Sequence, residues 1–326
     1  MRQTVESIRN YAGLLRKQPI REVFEKLVST VPFGSQLPNY GDDAAVIPWN
    51  DGYLLFAADG MMKSLLLKEP YAAGKASVMV TVNDIYSMGG RPIGMVNVLA
   101  SGDDEQRARI VEGIRKGCEK LRVPMVGGHL HPDAPADCPS LSVAILGFAK
   151  KTMRSHLAKA GDDLILAVDL QGRPGCSSVV SWDANSEKTT EELLHRLEAL
   201  PLIAEKGLAV AAKDVSNAGI MGTVSIMMEN SGKGADVDLN AIPRPSNIDL
   251  KSWLLAFQSF GFILAVTPDS SREVMTIFKE RNITANRIGT VVEEPRIILR
   301  DGSETETLFD FRREWITGIT YKENGA

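Results

Sequence analysis

Cysteine is scarce in this chain of 326 residues: Cys118, Cys138 and Cys176 are odd in number, widely spaced and form no C-x-x-C pair. That excludes a disulfide framework and a zinc knuckle, and it predicts free thiols in a reducing, cytoplasmic setting. A basic surplus is also missing, since Lys+Arg 37 against Asp+Glu 41 leaves a net charge of −4. Nucleic acid and anionic membranes both call for a basic face, so neither is expected as a partner. No apolar run approaches the roughly 20 residues that span a bilayer. The first residues, Met1 to Glu6, carry charge where a signal peptide is apolar. Three nucleotide and hydrolase fingerprints, G-x-x-x-x-G-K-[ST], G-x-G-x-x-G and G-x-S-x-G, are absent. A P-loop ATPase, a Rossmann dehydrogenase and an α/β-hydrolase are therefore not expected.

What is present is an ordinary globular composition, 44% apolar and 24% charged, in a chain long enough for two domains. Amphipathic helices are expected near 3–16 and 20–30, broken by Pro19. Two apolar runs, 44–48 and 53–58, flank the turn Trp49-Asn50-Asp51-Gly52 and read as a hairpin. Helices follow at 71–88 and 103–121, with strands at 92–100, 123–126 and 141–149. The polar, basic stretch around Lys150, Lys151 and Arg154 marks a boundary between domains 1–153 and 154–326. The second half alternates again: strand 164–168, helices 187–199, 202–210 and 219–230, strand 262–266, helix 270–281 and strands near 286–300. The fold class is mixed α/β (α+β).

The candidate chemistry is carried by aspartates. Gly41-Asp42-Asp43 precedes one strand, Asp59 ends the next, and Asn83-Asp84 interrupts an apolar helix. A charged Asp inside such a helix is costly unless it is paired or binds a metal. Hard cations take oxygen ligands, and Mg²⁺ combines one or two carboxylates with water and substrate phosphates. Asp42 and Asp59 taken alone fit turn formers equally well. Val126-Gly127-Gly128-His129-Leu130-His131 reads as a glycine loop that a ligand can approach closely, or as half of a zinc site. Lys213-Asp214-Val215-Ser216-Asn217 opens the helix at 219–230, where free amides can meet an anion.

Taken in order, Gly41–Ile47, Asp59, Asn83-Asp84 with Met88-Gly89-Gly90-Arg91-Pro92, Gly127-Gly128-His129, Gly161-Asp162-Asp163 and Lys213–Gly219 resemble the AIR synthetase (PurM)-like superfamily. The AIR synthase-related proteins are its most similar branch. Selenophosphate synthetase, thiamine-monophosphate kinase and the hydrogenase-maturation protein HypE are other members. The resemblance implies a PurM-like two-domain fold, with an N-terminal β-rich dimerisation domain and a C-terminal α/β domain. It implies ATP and Mg²⁺ in the cleft between them, with Asp42, Asp59, Asp84 and Asp214 holding metal. Asp84, Asn83 and His129 would act on the substrate, and Asp43, Lys75, Gly127, Gly128, Ser216 and Asn217 would contact the nucleotide.

Two residues depart from relatives. Asn217 stands where kinase relatives carry an Asp, and no Cys precedes Cys118 as selenium chemistry would require. The expected activity is ATP- and Mg-dependent phosphoryl transfer to an oxygen of a small metabolite by a cytoplasmic homodimer. A nucleotide-binding sensor with reduced catalysis, and an enzyme of the selenophosphate synthetase or thiamine-monophosphate kinase type, are the alternatives.

Overall fold

In the computed structural model, which describes residues 1–321, two large β-sheets each carry their own helices and a two-stranded ribbon pairs Arg173–Pro174 with Trp182–Asp183 further along the chain; residues 322–326 lie outside the described residues. The chain opens with three short helices, α1 (Arg2–Arg9), α2 (Ala12–Leu15) and α3 (Ile20–Leu27), so the expected segment 3–16 is split at Asn10 and Tyr11. The hairpin follows as β1 (Ala45–Trp49) and β2 (Gly52–Gly60), antiparallel, with Asn50 at φ 50° in its turn. Asn tolerates that left-handed backbone better than most side chains.

Next come α4 (Lys63–Lys68), α5 (Pro70–Ser87), β3 (Arg91–Ala100), α6 (Asp104–Leu121), β4 (Met125–His131) and β5 (Ser140–Ala149). Pro70 occupies the first turn of α5, where no amide is needed, and twelve of the eighteen residues of α5 are buried, which makes it a core helix. Asp103 caps α6 by accepting from the Gln106 amide at 2.7 Å. The five strands lie in the order β1-β2-β5-β3-β4, with β3 and β4 parallel across α6.

The second half runs β6 (Asp163–Val168), β7 (Arg173–Pro174), β8 (Trp182–Asp183), α7 (Thr190–Leu197), α8 (Ala199–Lys206), β9 (Ala209–Asp214) and α9 (Gly219–Ser231). It continues with β10 (Gly234–Asp238), α10 (Leu250–Leu255), β11 (Gly261–Val266), α11 (Pro268–Lys279), β12 (Thr284–Val292), β13 (Arg296–Asp301) and β14 (Glu304–Asp310). Seven strands form one sheet in the order β14-β13-β10-β12-β6-β11-β9. Both faces are buried along β6, β11 and β9, while β14 at the far edge is largely exposed. Along β6, Ile165 and Ala167 join the core shared with α5, α8 and α11, while Leu164, Leu166 and Val168 pack under α9 and α10.

Two expectations fail. The segment 126–131 is not a loop but the edge strand β4, paired only with β3; its glycines relieve strain at no turn but lie flat beside Val96 and Asn97. The helix expected over 202–210 stops at Gly207, φ 70°, and yields to β9, because Gly ends a helix readily in the left-handed conformation.

Candidate active site

The cleft forms where α5, the end of β9, the 41–43 loop and the end of β2 converge beneath the α2–α3 connection. Gly41 makes the approach possible. It sits at φ 92°, and a Cβ there would lie 2.4 Å from the Asn230 side chain. The backbone thereby sends two adjacent carboxylates to different partners.

Asp43 turns into the cleft. One of its oxygens pairs with Lys213 Nζ, and the other accepts from Ser87 Oγ at 2.7 Å and from the Asp214 amide at 3.2 Å. Oxygens of Asp43, Asp84 and Asp214 all lie within 4.8 Å of one another. Such crowding raises the cost of charge. Burial, with Asp214, Asp43 and Asp59 nearby, holds the Asp84 carboxyl well above the usual carboxylate range. Burial, with Asp43 and then Asp59, pushes Asp214 up to about 8. Three carboxylates in this state fit a hard divalent cation, which would take their oxygens and remove the repulsion.

Two lysines balance the cluster. Burial opposes the charge of Lys213, but Asp43 beside it more than offsets this and its pKa stands above the ordinary value. Lys17, between α2 and α3, is pushed down by burial while Asp59 pulls in the opposite direction. Neither lysine was assigned a role from sequence. Lys213 left a signal, a charge closing the apolar run 209–212; Lys17, in the polar turn between α2 and α3, left none. A cavity of about 320 Å³ is lined by Lys17, Asp59, Asp84, Asp214, Ser216 and Asn217. It meets a second cavity of about 700 Å³ that shares Asp59, Asp84 and Asp214 and has an apolar wall of Val23, Phe24 and Leu27.

Asp42 is not brought into the cluster. Its side chain is fully buried and accepts from Arg154 Nε at 2.9 Å, Arg154 Nη2 at 2.5 Å and the Ser155 amide at 2.8 Å, with His156 Nδ1 at 3.5 Å. Burial alone would raise its pKa, yet His156 and Arg154 bring it below the usual range. Both oxygens thus face residues 154–156, and Asp42 stands outside the group formed by Asp43, Asp84 and Asp214. His129 is likewise elsewhere: it lies on β4 beside Val98, exposed, with its ring 4.6 Å from that of His131. Gly127 and Gly128 go with it, and none of the three lines either cavity. Asn83 lines a separate void of about 30 Å³, its amide buried without a hydrogen-bond partner among the described residues. Lys75 lines a separate cavity.

Fold and site together define a two-domain α/β protein with an inter-domain carboxylate cleft able to hold a hard cation. The chain belongs to the AIR synthase related family: residues 41–149 match the AIR synthase related protein, N-terminal domain, and residues 159–302 the C-terminal domain. An uncharacterised protein of Synechocystis sp. is 39% identical over 308 residues, 94% of this chain and 95% of that protein. Phosphoribosylformylglycinamidine synthase subunit PurL of Methanosarcina mazei is 29% identical over 284 residues, 78% of this chain but 39% of that subunit. The structure of Thermotoga maritima PurL complexed with ATP superposes with a TM-score of 0.75 at 18% identity, covering 92% of this chain and 50% of that one. The chain thus spans half or less of the length of these PurL proteins. No helix among the described residues is long and apolar enough to cross a membrane.

Proposed function

We propose that this protein is a magnesium- and ATP-dependent enzyme that transfers the γ-phosphoryl group of ATP to an oxygen of a small metabolite. The observation that carries this reading is the grouping of Asp43, Asp84 and Asp214 within 4.8 Å, flanked by Lys213 and Lys17. Bound magnesium would neutralise the triphosphate and the developing charge on its oxygens. Asp43, Asp84 and Asp214 would hold the cation, with Asp59 at the rim. Lys17 and Lys213 face phosphate oxygens, Ser216 and Asn217 line the same wall, and Val23, Phe24 and Leu27 cover the base. In the transfer, an acceptor oxygen forms a bond to the γ-phosphorus as the bond to the bridging oxygen breaks. ADP leaves with that electron pair, and the acceptor's proton passes to a cluster carboxylate. Catalysis of this kind is positioning and electrostatics. The ATP complex of a PurL with the same fold supports the reading.

Mg-AMPPNP is expected to raise the melting temperature, and AMPPNP with EDTA is not, because a ligand that binds the native state alone stabilises it. An equal shift with and without magnesium, or none in either, would refute the assignment.

The reading extends to domain division between residues 153 and 154, and to a homodimer. The outer face of the N-terminal sheet is apolar and open: Phe56 beside Leu146, Val96 beside Ala144, and Val98 beside Ser142 and His129. Phe56, Val96 and Val98 are 50%, 43% and 47% exposed. A contiguous apolar face of this kind is a burial site for a second copy. Val96→Asp is expected to convert the dimer to monomer in sedimentation; an unchanged sedimentation coefficient argues against this face. Three free thiols support a cytoplasmic location.

A further inference from the structure

A third cavity, of about 260 Å³, lies between α5, α6 and the 173–186 segment. Its charge balance is unusual. Lys75 Nζ donates to Ser186 Oγ at 2.6 Å, and Lys120 Nζ donates to the Ser186 carbonyl at 2.9 Å. Each ammonium keeps two further N–H donors, and neither has a carboxylate partner among the described residues. Arg173, on the same wall, pairs among the described residues with the exposed Glu187 alone. Two carboxylates also line the cavity, Glu69 accepting through both oxygens and Asp183 through Oδ1. Glu69 accepts from Ser178 Oγ at 2.5 Å and the Ser177 amide at 3.2 Å. Asp183 accepts from the amides of Ser186 at 2.9 Å and Asn185 at 3.1 Å. Cys176 adds no charge, because burial and Glu69 push its thiol up to about 11.

Burial lowers the pKa of both lysines, and Lys75 lowers that of Lys120 further. Asp183 offsets part of this for both lysines but forms an ion pair with neither, so two ammoniums and the Arg173 guanidinium share one partly compensating carboxylate. An incoming anion supplies the missing counter-charge. Two buried hydroxyls on the wall, Ser181 Oγ and Ser259 Oγ, have no hydrogen-bond partner, and the Ser259 residue is 6% exposed. Ser259 and its neighbour Gln258 adopt φ 63° and 86°, a left-handed backbone that is costly for either residue. Strain of this kind is retained where the surrounding structure needs the chain in one place. That place is the partition between this cavity and the carboxylate cavity, since Gln258 and Ser259 line both.

We infer that this cavity binds the acceptor of the reaction through an anionic group, a phosphate monoester or a carboxylate, held by Lys75, Lys120 and Arg173. The body of the molecule rests on Ala72, Ala76 and Met79 and passes Gln258–Ser259 toward Asp84. Its designation as acceptor rests on the phosphoryl-transfer reading; the anion site does not.

Isothermal titration calorimetry of the nucleotide-free protein with phenyl phosphate and with benzoate tests the site, with Mg-AMPPNP titrated in parallel. Wild-type protein is expected to bind one of the two probes, and whichever binds identifies the anion. Lys120→Met and Arg173→Gln are expected to weaken that binding roughly tenfold or more, as loss of a charge-assisted hydrogen bond should, while Mg-AMPPNP affinity is kept. Both substitutions fall on side chains that carry no buried ion pair, so folding is retained, and the melting curve of each variant verifies this. Probe binding that is lost in the variants, in a protein that fails to bind Mg-AMPPNP, keeps the anion site and rejects the nucleotide assignment instead. No binding of either probe to the wild type, or equal binding to wild type and both variants, overturns the inference.

Discussion

Asp84→Asn and Asp214→Asn are each expected to weaken magnesium-dependent AMPPNP binding by at least about a hundredfold, while raising the melting temperature of the metal-free protein. The first effect follows from ligand loss: residues that merely support a metal ligand already contribute 10- to 100-fold to affinity, and a direct ligand contributes no less. The second follows from proton linkage. Asp214 titrates near 8 in the folded chain because of burial and its carboxylate neighbours, against about 3.9 in an unfolded one. The folded state therefore holds the extra proton. Stability is greatest below the unfolded pKa and is lost as pH rises through the window from about 4 to about 8. Metal-free wild type should melt lower at pH 8.5 than at pH 5.5, Asp214→Asn should flatten that slope, and magnesium should restore most of the loss at the higher pH. Differential scanning calorimetry across that range decides the matter. A wild-type slope no steeper than the variant's, with nucleotide binding intact in both variants, would remove these carboxylates from the metal site.

Asp42→Ala is expected to act in the opposite way, lowering stability by about 3–5 kcal/mol, the range for deleting one partner of a buried ion pair. The loss arises because Arg154, itself 8% exposed, stays buried without its counter-charge. The pH dependence also reverses. Asp42 has a depressed pKa in the folded state, so its contribution is full above the unfolded pKa and disappears as pH falls through the folded one. Urea denaturation at pH 7 measures the difference. A variant as stable as wild type that no longer binds Mg-AMPPNP would return Asp42 to the metal site and displace Arg154 as its partner.

These two aspartates show how far sequence reaches here. The Asp42-Asp43 pair marked the correct loop, but adjacent residues in a turn point in different directions. Which one meets the cleft depends on Arg154, more than a hundred positions away. Asp84 was legible because a carboxylate in a core helix needs an explanation in any fold. The hairpin 45–60 was equally plain, from its Asn-Asp-Gly turn, as were α5 and α6. The strand β9 was missed because Ala209-Val210-Ala211-Ala212 carries weak strand preference and follows a helix without a break in hydrophobicity. Gly127, Gly128 and His129 looked like a ligand loop because glycine pairs and histidine are common there. An edge strand bonded on one side tolerates the same residues. Lys17 gave no warning at all, since its role exists only once the N-terminal helices fold across the cleft.

Helix α5 has a consequence for which molecules this protein can accept. Lys75 and Asp84 stand nine residues apart on one unbroken helix, an axial rise of about 13 Å at 1.5 Å per residue. A rigid rod of backbone hydrogen bonds joins them, so domain closure cannot bring the two ends nearer to each other. The helix is a ruler. With an acceptor anchored at Lys75 as inferred above, molecules would be sorted by the reach between their anchored end and their reacting atom, and that reach is written into the number of residues in α5 rather than into the contour of either cavity.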